Sequence, residues 1–184
     1  AINAEAKTVT LTLSTAVTSG QSVTVAYADP TTGNDANAIQ DAAGNDATSF
    51  AATAVTNNTP APADTTAPAL IITGDSRPKV TGDQLVLSFS DTGNLDADLA
   101  HKPANGAFTV LVNGVANAVT NVTVDSQAKT VTLTLTTAVT SNQTVTVAYA
   151  DPTTGNDANA IQDAAGNDAT SFAATAVTNN TPAP

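Results

Sequence analysis

The stretch DPTTGNDANAIQDAAGND, residues 29–46, holds Asp29, Asp35, Asp41 and Asp46 with no basic residue among them. It recurs letter for letter at residues 151–168, with Asp151, Asp157, Asp163 and Asp168. Uncompensated carboxylates so close in sequence repel one another. One reading is an acidic loop turned to solvent. The other is a site for a hard cation. Calcium takes about six to eight oxygen ligands from Asp carboxylates, Asn side chains and backbone carbonyls. The loop is rich in Asp, Asn and Gly and lacks the His or Cys that would suggest zinc. Its NDANAIQD segment does not match D-x-[DN]-x-[DN]-G, so such a site would not be an EF-hand.

Other chemistry is sparse. His101 is the only histidine and sits in a polar loop beside Lys102 and Pro103. No G-x-S-x-G elbow accompanies the serines, and no second His could complete a triad. Paired carboxylates can hydrolyse glycosides, but sugar clefts usually carry aromatic platforms. Here Tyr27, Phe50, Phe89, Phe108, Tyr149 and Phe172 all fall at positions that read as core. The chain is therefore expected not to be an enzyme, and a calcium-dependent hydrolase ranks last among its readings.

Composition narrows the partners. The formal net charge is −11, with 5 Lys and Arg against 16 Asp and Glu. No basic patch can be built from Lys7, Arg77, Lys79, Lys102 and Lys129, so nucleic acid and direct contact with an anionic membrane are not expected. No apolar run approaches the roughly 20 residues of a membrane-spanning helix. No stretch of these residues reads as a signal peptide and there is no Met, so a segment of something longer is expected. There is no cysteine to supply disulfides, so bound metal is the obvious alternative source of rigidity.

Val and Thr favour strands, and the chain has little of the Leu, Glu and Lys that fill helices. Residues 6–62 match residues 128–184 at a constant offset of about 122 residues, a length suited to one β-sandwich. The expected organisation is the C-terminal half of one repeat unit at residues 1–62, then a complete unit at residues 63–184. A Pro/Ala/Thr linker at residues 60–68 joins them. The complete unit reads as a chain of short strands. They fall at residues 69–72, 84–90 (Leu85, Leu87 and Phe89 on one face), 108–112, 115–119, 122–125, 130–136 (Val131, Leu133 and Leu135 inward), 144–150 and 172–177. Asn113-Gly114 marks a tight hairpin. The AIQDAAG segment allows at most one helical turn. The fold class is all-β, an Ig-like sandwich of two packed antiparallel sheets in tandem repeats. The half-unit lacks strands to cover its inner face, so completion by another molecule or by the following unit is expected.

The ordered set DTTAPAL (residues 64–70), FTVLVNG (108–114), KTVTLTL (129–135), VTVAY (145–149) and IQDAAGN (161–167, with its copy at 39–45) resembles a known family. It is similar to the Ig-like extender repeats of giant bacterial surface adhesins, the RTX-type adhesins among them. It is also similar to a repeat named after the cyanobacterial swarming protein SwmB. The resemblance implies a passive spacer at the bacterial surface, serving attachment and biofilm formation, with neighbouring repeats of the same chain as its partners. It also implies calcium near domain junctions. There Asp41, with Asn45 or Asp46, would share an ion with Asp64. Asp163, with Asn167, would take the equivalent place at the far end, its partner absent. The alternative is a calcium-dependent glycan- or protein-binding module acting through residues 91–98, where Asp91, Asn94, Asp96 and Asp98 lie.

Overall fold

The computed structural model describes residues 1–184. The chain divides into two units, Ala1–Pro62 and Ala63–Pro184. The first holds four strands: β1 (Ile2–Asn3), β2 (Thr8–Val9), β3 (Val23–Tyr27) and β4 (Phe50–Val55). They form two separate antiparallel ribbons, β1–β2 and β3–β4. Leu11, Leu13, Phe50 and Val55 are exposed, which corrects the expectation that Phe50 is core. The reason lies in the missing layer. The half-unit has apolar residues at inward positions but no opposing strands within it to cover them.

The second unit holds β5 (Ala69–Leu70), β6 (Lys79–Thr81), β7 (Gln84–Ser90), β8 (Phe108–Val112), β9 (Val115–Ala116), β10 (Val119–Asp125), β11 (Thr130–Leu135), β12 (Val145–Tyr149) and β13 (Phe172–Asn179). The fold is all-β and sandwich-like. The strands follow one path, β10-β11-β7-β6-β13-β12-β8-β9, with β5 paired to the end of β7. This differs in one respect from two separate antiparallel sheets. β6 pairs antiparallel with β7 and parallel with β13, so it joins the two layers along one edge. The first strand splits to allow this. After β5 the chain makes a short 3₁₀ turn at Gly74–Ser76 and resumes as β6.

Alternation then builds the core. Leu85, Leu87 and Phe89 of β7, Val122 of β10 and Val131, Leu133 and Leu135 of β11 are buried. So are Phe108 and Val110 of β8, Val145, Val147 and Tyr149 of β12 and Val177 of β13, all in one cluster. The Tyr149 ring lies 5.2 Å from Phe108 and 5.7 Å from Phe172, centroid to centroid. Asn113 and Gly114 both have positive φ, 51° and 79°, as the hairpin between β8 and β9 requires. The AIQDAAG segment, residues 160–166, forms no helical turn. Instead it makes isolated bridge pairings, Gln162 with Asp168 and Asp163 with Leu95. Leu95 therefore plugs into the core from the polar loop after β7, where its neighbours gave no hint of burial.

Candidate metal centres

The aspartates of the loop between β12 and β13 separate into two groups. Asp151, Asp157 and Asp168 converge, with one oxygen from each lying within 4.8 Å of the others. Asp163 is not among them and instead joins Asp64 and Asp91 in a second cluster, one oxygen from each again within 4.8 Å of the others. In the half-unit Asp29, Asp35 and Asp46 repeat the first group. Asp41 takes no part in that trio, and the half-unit contains no counterparts of Asp64 and Asp91.

Local hydrogen bonds fix the first group. The Asp157 amide donates to Asp168 Oδ2, and the Thr153 hydroxyl donates to Asp157 Oδ2 at 2.9 Å. The Asp151 amide donates to Ser171 Oγ, and the Ile161 amide donates to the Tyr149 hydroxyl oxygen. The half-unit repeats each bond, through Asp35 and Asp46, Thr31 and Asp35, Asp29 and Ser49, and Ile39 and Tyr27. Identical letters thus build one loop scaffold in two different surroundings. Burial pushes the Asp168 carboxyl above the usual range, against the Asp157 amide, with the charges of Asp157, Asp151 and Asp163 adding to the rise. Burial does the same to Asp151, helped by Asp157. Asp29 rises through desolvation and then through Asp46 and Asp35. Desolvation, with a lesser push from the surrounding aspartates, moves the Tyr149 hydroxyl up to about 12.

The second cluster is built from three distant parts of the chain. β5 runs antiparallel to the end of β7, with Ala69 opposite Ser90, so the linker residue Asp64 arrives beside Asp91. The Leu95–Asp163 bridge brings the loop between β12 and β13 to the same place. Thr92 Oγ1 donates to Asp64 Oδ2 at 2.7 Å, and the Gly93 amide donates to Asp91 Oδ2. Asp163 is only 1% exposed and accepts from the Ala165 and Asn167 amides. Asn167 Nδ2 then bridges Asp163 Oδ2 and the Asp64 carbonyl. The Thr92 hydrogen bond holds the Asp64 carboxyl below the usual range. Asp41 is lowered too, first by the Asn45 side chain. A Cβ at Gly93 would lie 3.3 Å from oxygens of both Asp64 and Asp91, so the absence of a side chain there keeps the cluster open.

This placement corrects one expectation. Asp163 does not lack its partner, because Asp64 of the same unit supplies it. The cause is topological: the entering linker and the loop between β12 and β13 lie at one end of the same sandwich. Asp91 was not foreseen as a member, since no local spacing links it to Asp64 or Asp163. Its Oδ1, like that of Asp29, Asp46, Asp151 and Asp168, is buried without a hydrogen-bond partner. No Lys or Arg pairs with any of these carboxylates, and the only ion pair in the chain is His101 with Asp96. Lys129 reaches only the Asp91 carbonyl. Acceptor-only oxygens converging with no basic side chain to neutralise them suit a hard cation.

His101 has a structural task instead. Its Nδ1 lies 2.7 Å from Asp96 Oδ2, which also accepts from Gln162 Nε2 at 2.8 Å. Although burial opposes it, hydrogen bonds from the Asp98 amide, His101 and Gln162 lower the Asp96 carboxyl. The Asp96 hydrogen bond raises His101 above its ordinary 6.5, with the charges of Asp96 and Asp98 assisting. The folded unit therefore holds the imidazole proton more tightly than the unfolded chain does. That stabilisation is complete below pH 6.5 and disappears as pH rises through the raised value. Urea midpoints measured across this window should fall with rising pH, and His101→Asn should flatten the slope.

Residues 1–32 and 63–154 match the model of the SWM repeat, whose description reads "putative flagellar system-associated repeat". The matched residues include Asp29, Asp64, Asp91 and Asp151 but stop before Asp35 and Asp157. No curated protein and no solved structure matches the chain. Because the family match takes in more than half of the chain, breaking off at the same point of the repeat each time, the chain belongs to the SWM repeat family, as a repeat module of a surface or flagellar-associated protein.

Proposed function

We propose that the complete unit is a structural extender of a bacterial surface adhesin, stiffened by calcium where the linker enters, and that its role is mechanical rather than catalytic. The observation that carries this reading is the convergence of Asp64, Asp91 and Asp163. These three residues come from the linker, the loop after β7 and the loop between β12 and β13. An ion held by all three ties the linker to the end of the sandwich and limits the directions from which a preceding unit can approach. It also neutralises like charges that would otherwise push the linker away. The site would work outside the cell, where calcium modules bind at about 10⁻⁴–10⁻³ M. Near-identity of the two copies supports a spacer, since repetition multiplies reach.

The glycan- or protein-binding alternative gains no support from the loop it would use. Leu95 is committed to the core, and Asp96 is occupied by His101 and Gln162. Small-angle scattering on a polypeptide of several complete units tests the extender reading. The maximum dimension should be larger and more narrowly distributed in calcium than in EDTA, and Asp64→Ala in calcium should resemble the EDTA state. Identical dimensions in all three conditions would rule the reading out.

A further inference from the structure

We propose that Asp151, Asp157 and Asp168 form a second cation site, distinct from the linker cluster and contained within the one loop between β12 and β13, and that Asp29, Asp35 and Asp46 form the same site in the half-unit. The ligand is a hard divalent or trivalent ion bound through carboxylate oxygen. Convergence of the three carboxylates is the first observation. The second is independent of it. Asp168 is only 7% exposed, yet its Oδ1 has no hydrogen-bond partner, and Asp151 Oδ1 is buried in the same condition. Burying an unpaired carboxylate oxygen is expensive unless something positive meets it. Three of the other four oxygens already accept hydrogen bonds. Asp168 Oδ2 takes the Asp157 amide, and the Asp157 oxygens take the Asn159 amide and the Thr153 hydroxyl. With no basic side chain paired to the trio, a cation is the partner these oxygens lack.

The half-unit shows what fixes the site. Asp29 Oδ1 and Asp46 Oδ1 are unpartnered there too, although that unit has no covered core. All ligands lie between two paired strands, so the hairpin alone sets the geometry. The half-unit should therefore bind an ion even though it contains no linker cluster. This deepens the calcium reading above by naming a separate site, and it does not depend on any stiffening of the linker.

Tyr27 and Tyr149 are the only tyrosines, the chain has no Trp, and each hydroxyl accepts an amide of its own loop. Tyrosine-excited terbium emission from the whole chain therefore reports on these two loops. Emission should saturate and be displaced by calcium. Tyr27→Phe and Tyr149→Phe should each remove part of it. Asp35→Asn combined with Asp157→Asn should weaken terbium binding by about tenfold or more, since ligand charge sets affinity. Asp64→Asn should leave most of the emission in place, since Asp64 belongs to neither trio. Calorimetry on the unaltered chain should count three calcium ions, one for each cluster. Absent emission, emission unchanged by the paired substitution, emission lost in Asp64→Asn, or a count of one ion would each overturn the proposal. Normal emission combined with calcium-independent scattering would remove the extender reading and leave this one standing.

Discussion

Leu133→Ala should lower the unfolding free energy of the second unit by about 2–5 kcal/mol, through lost burial and the cavity left behind. Leu133 is 0% exposed, in the middle of β11, with β10 on one side and β7 on the other. The first unit provides a control with the same local sequence. Leu11 stands in the same TVTLTL run but is 63% exposed, so Leu11→Ala should cost no more than about 0.5 kcal/mol. Thr132→Ala and Thr134→Ala, on the opposite face of β11, should also cost much less than Leu133→Ala. A Tyr27→Phe background leaves Tyr149 as the only tyrosine, so its fluorescence during urea unfolding follows the second unit alone. Threonine changes costlier than Leu133→Ala would put the β11 register off by one residue. A costly Leu11→Ala would mean that the half-unit has a covered core in solution.

That contrast also shows what was legible in the sequence. Strands with several alternations could be read directly. β7 and β8 have the bounds that periodicity predicts, and Val131, Leu133 and Leu135 face inward as expected. The same letters at residues 8–13 give only the two-residue β2, which pairs with β1 alone. Alternation says which face is apolar, but partners decide whether a strand forms. β6 escaped notice because three residues are too short for a period, and its parallel pairing with β13 joins positions almost a whole unit apart.

The sites divide in the same way. That each loop gathers acid was plain from composition. Which aspartates meet was not, because spacing along a loop does not say which way each carboxylate turns. Asp163 is drawn from its sequence neighbours by the Leu95 bridge and by Asn167, whose amide reaches the Asp64 carbonyl. Asp91 joins them only through strand pairing, which no local pattern encodes.

Calcium should raise the stability of the second unit by more than any surface substitution. An ion that binds only the folded state adds RT ln(1 + [L]/Kd), about 2.7 kcal/mol at 100 times Kd, and roughly 5 kcal/mol if two independent sites fill. Asp64→Ala and Asp157→Ala should each remove one increment, and together they should remove both. The pH dependence follows from the carboxylates. In EDTA, Asp151 and Asp168 have raised pKa values, so protonating them favours the folded state. Their contribution is full below the ordinary 3.8 and is lost as pH rises through the raised values. Asp64 and Asp96 have lowered values and act in the opposite sense, contributing above 3.8 and losing that contribution as pH falls through the lowered values. A bound ion favours the charged form of every ligand, so calcium should stabilise most near neutrality and progressively less as the medium is acidified. Magnesium should substitute poorly, because it demands tighter octahedral geometry and gives up its waters reluctantly. Thermal melting in calcium, in magnesium and in EDTA, at neutral and at acidic pH, measures all of this. A melting temperature that is the same in calcium and EDTA at neutral pH would mean that neither cluster in this unit holds calcium.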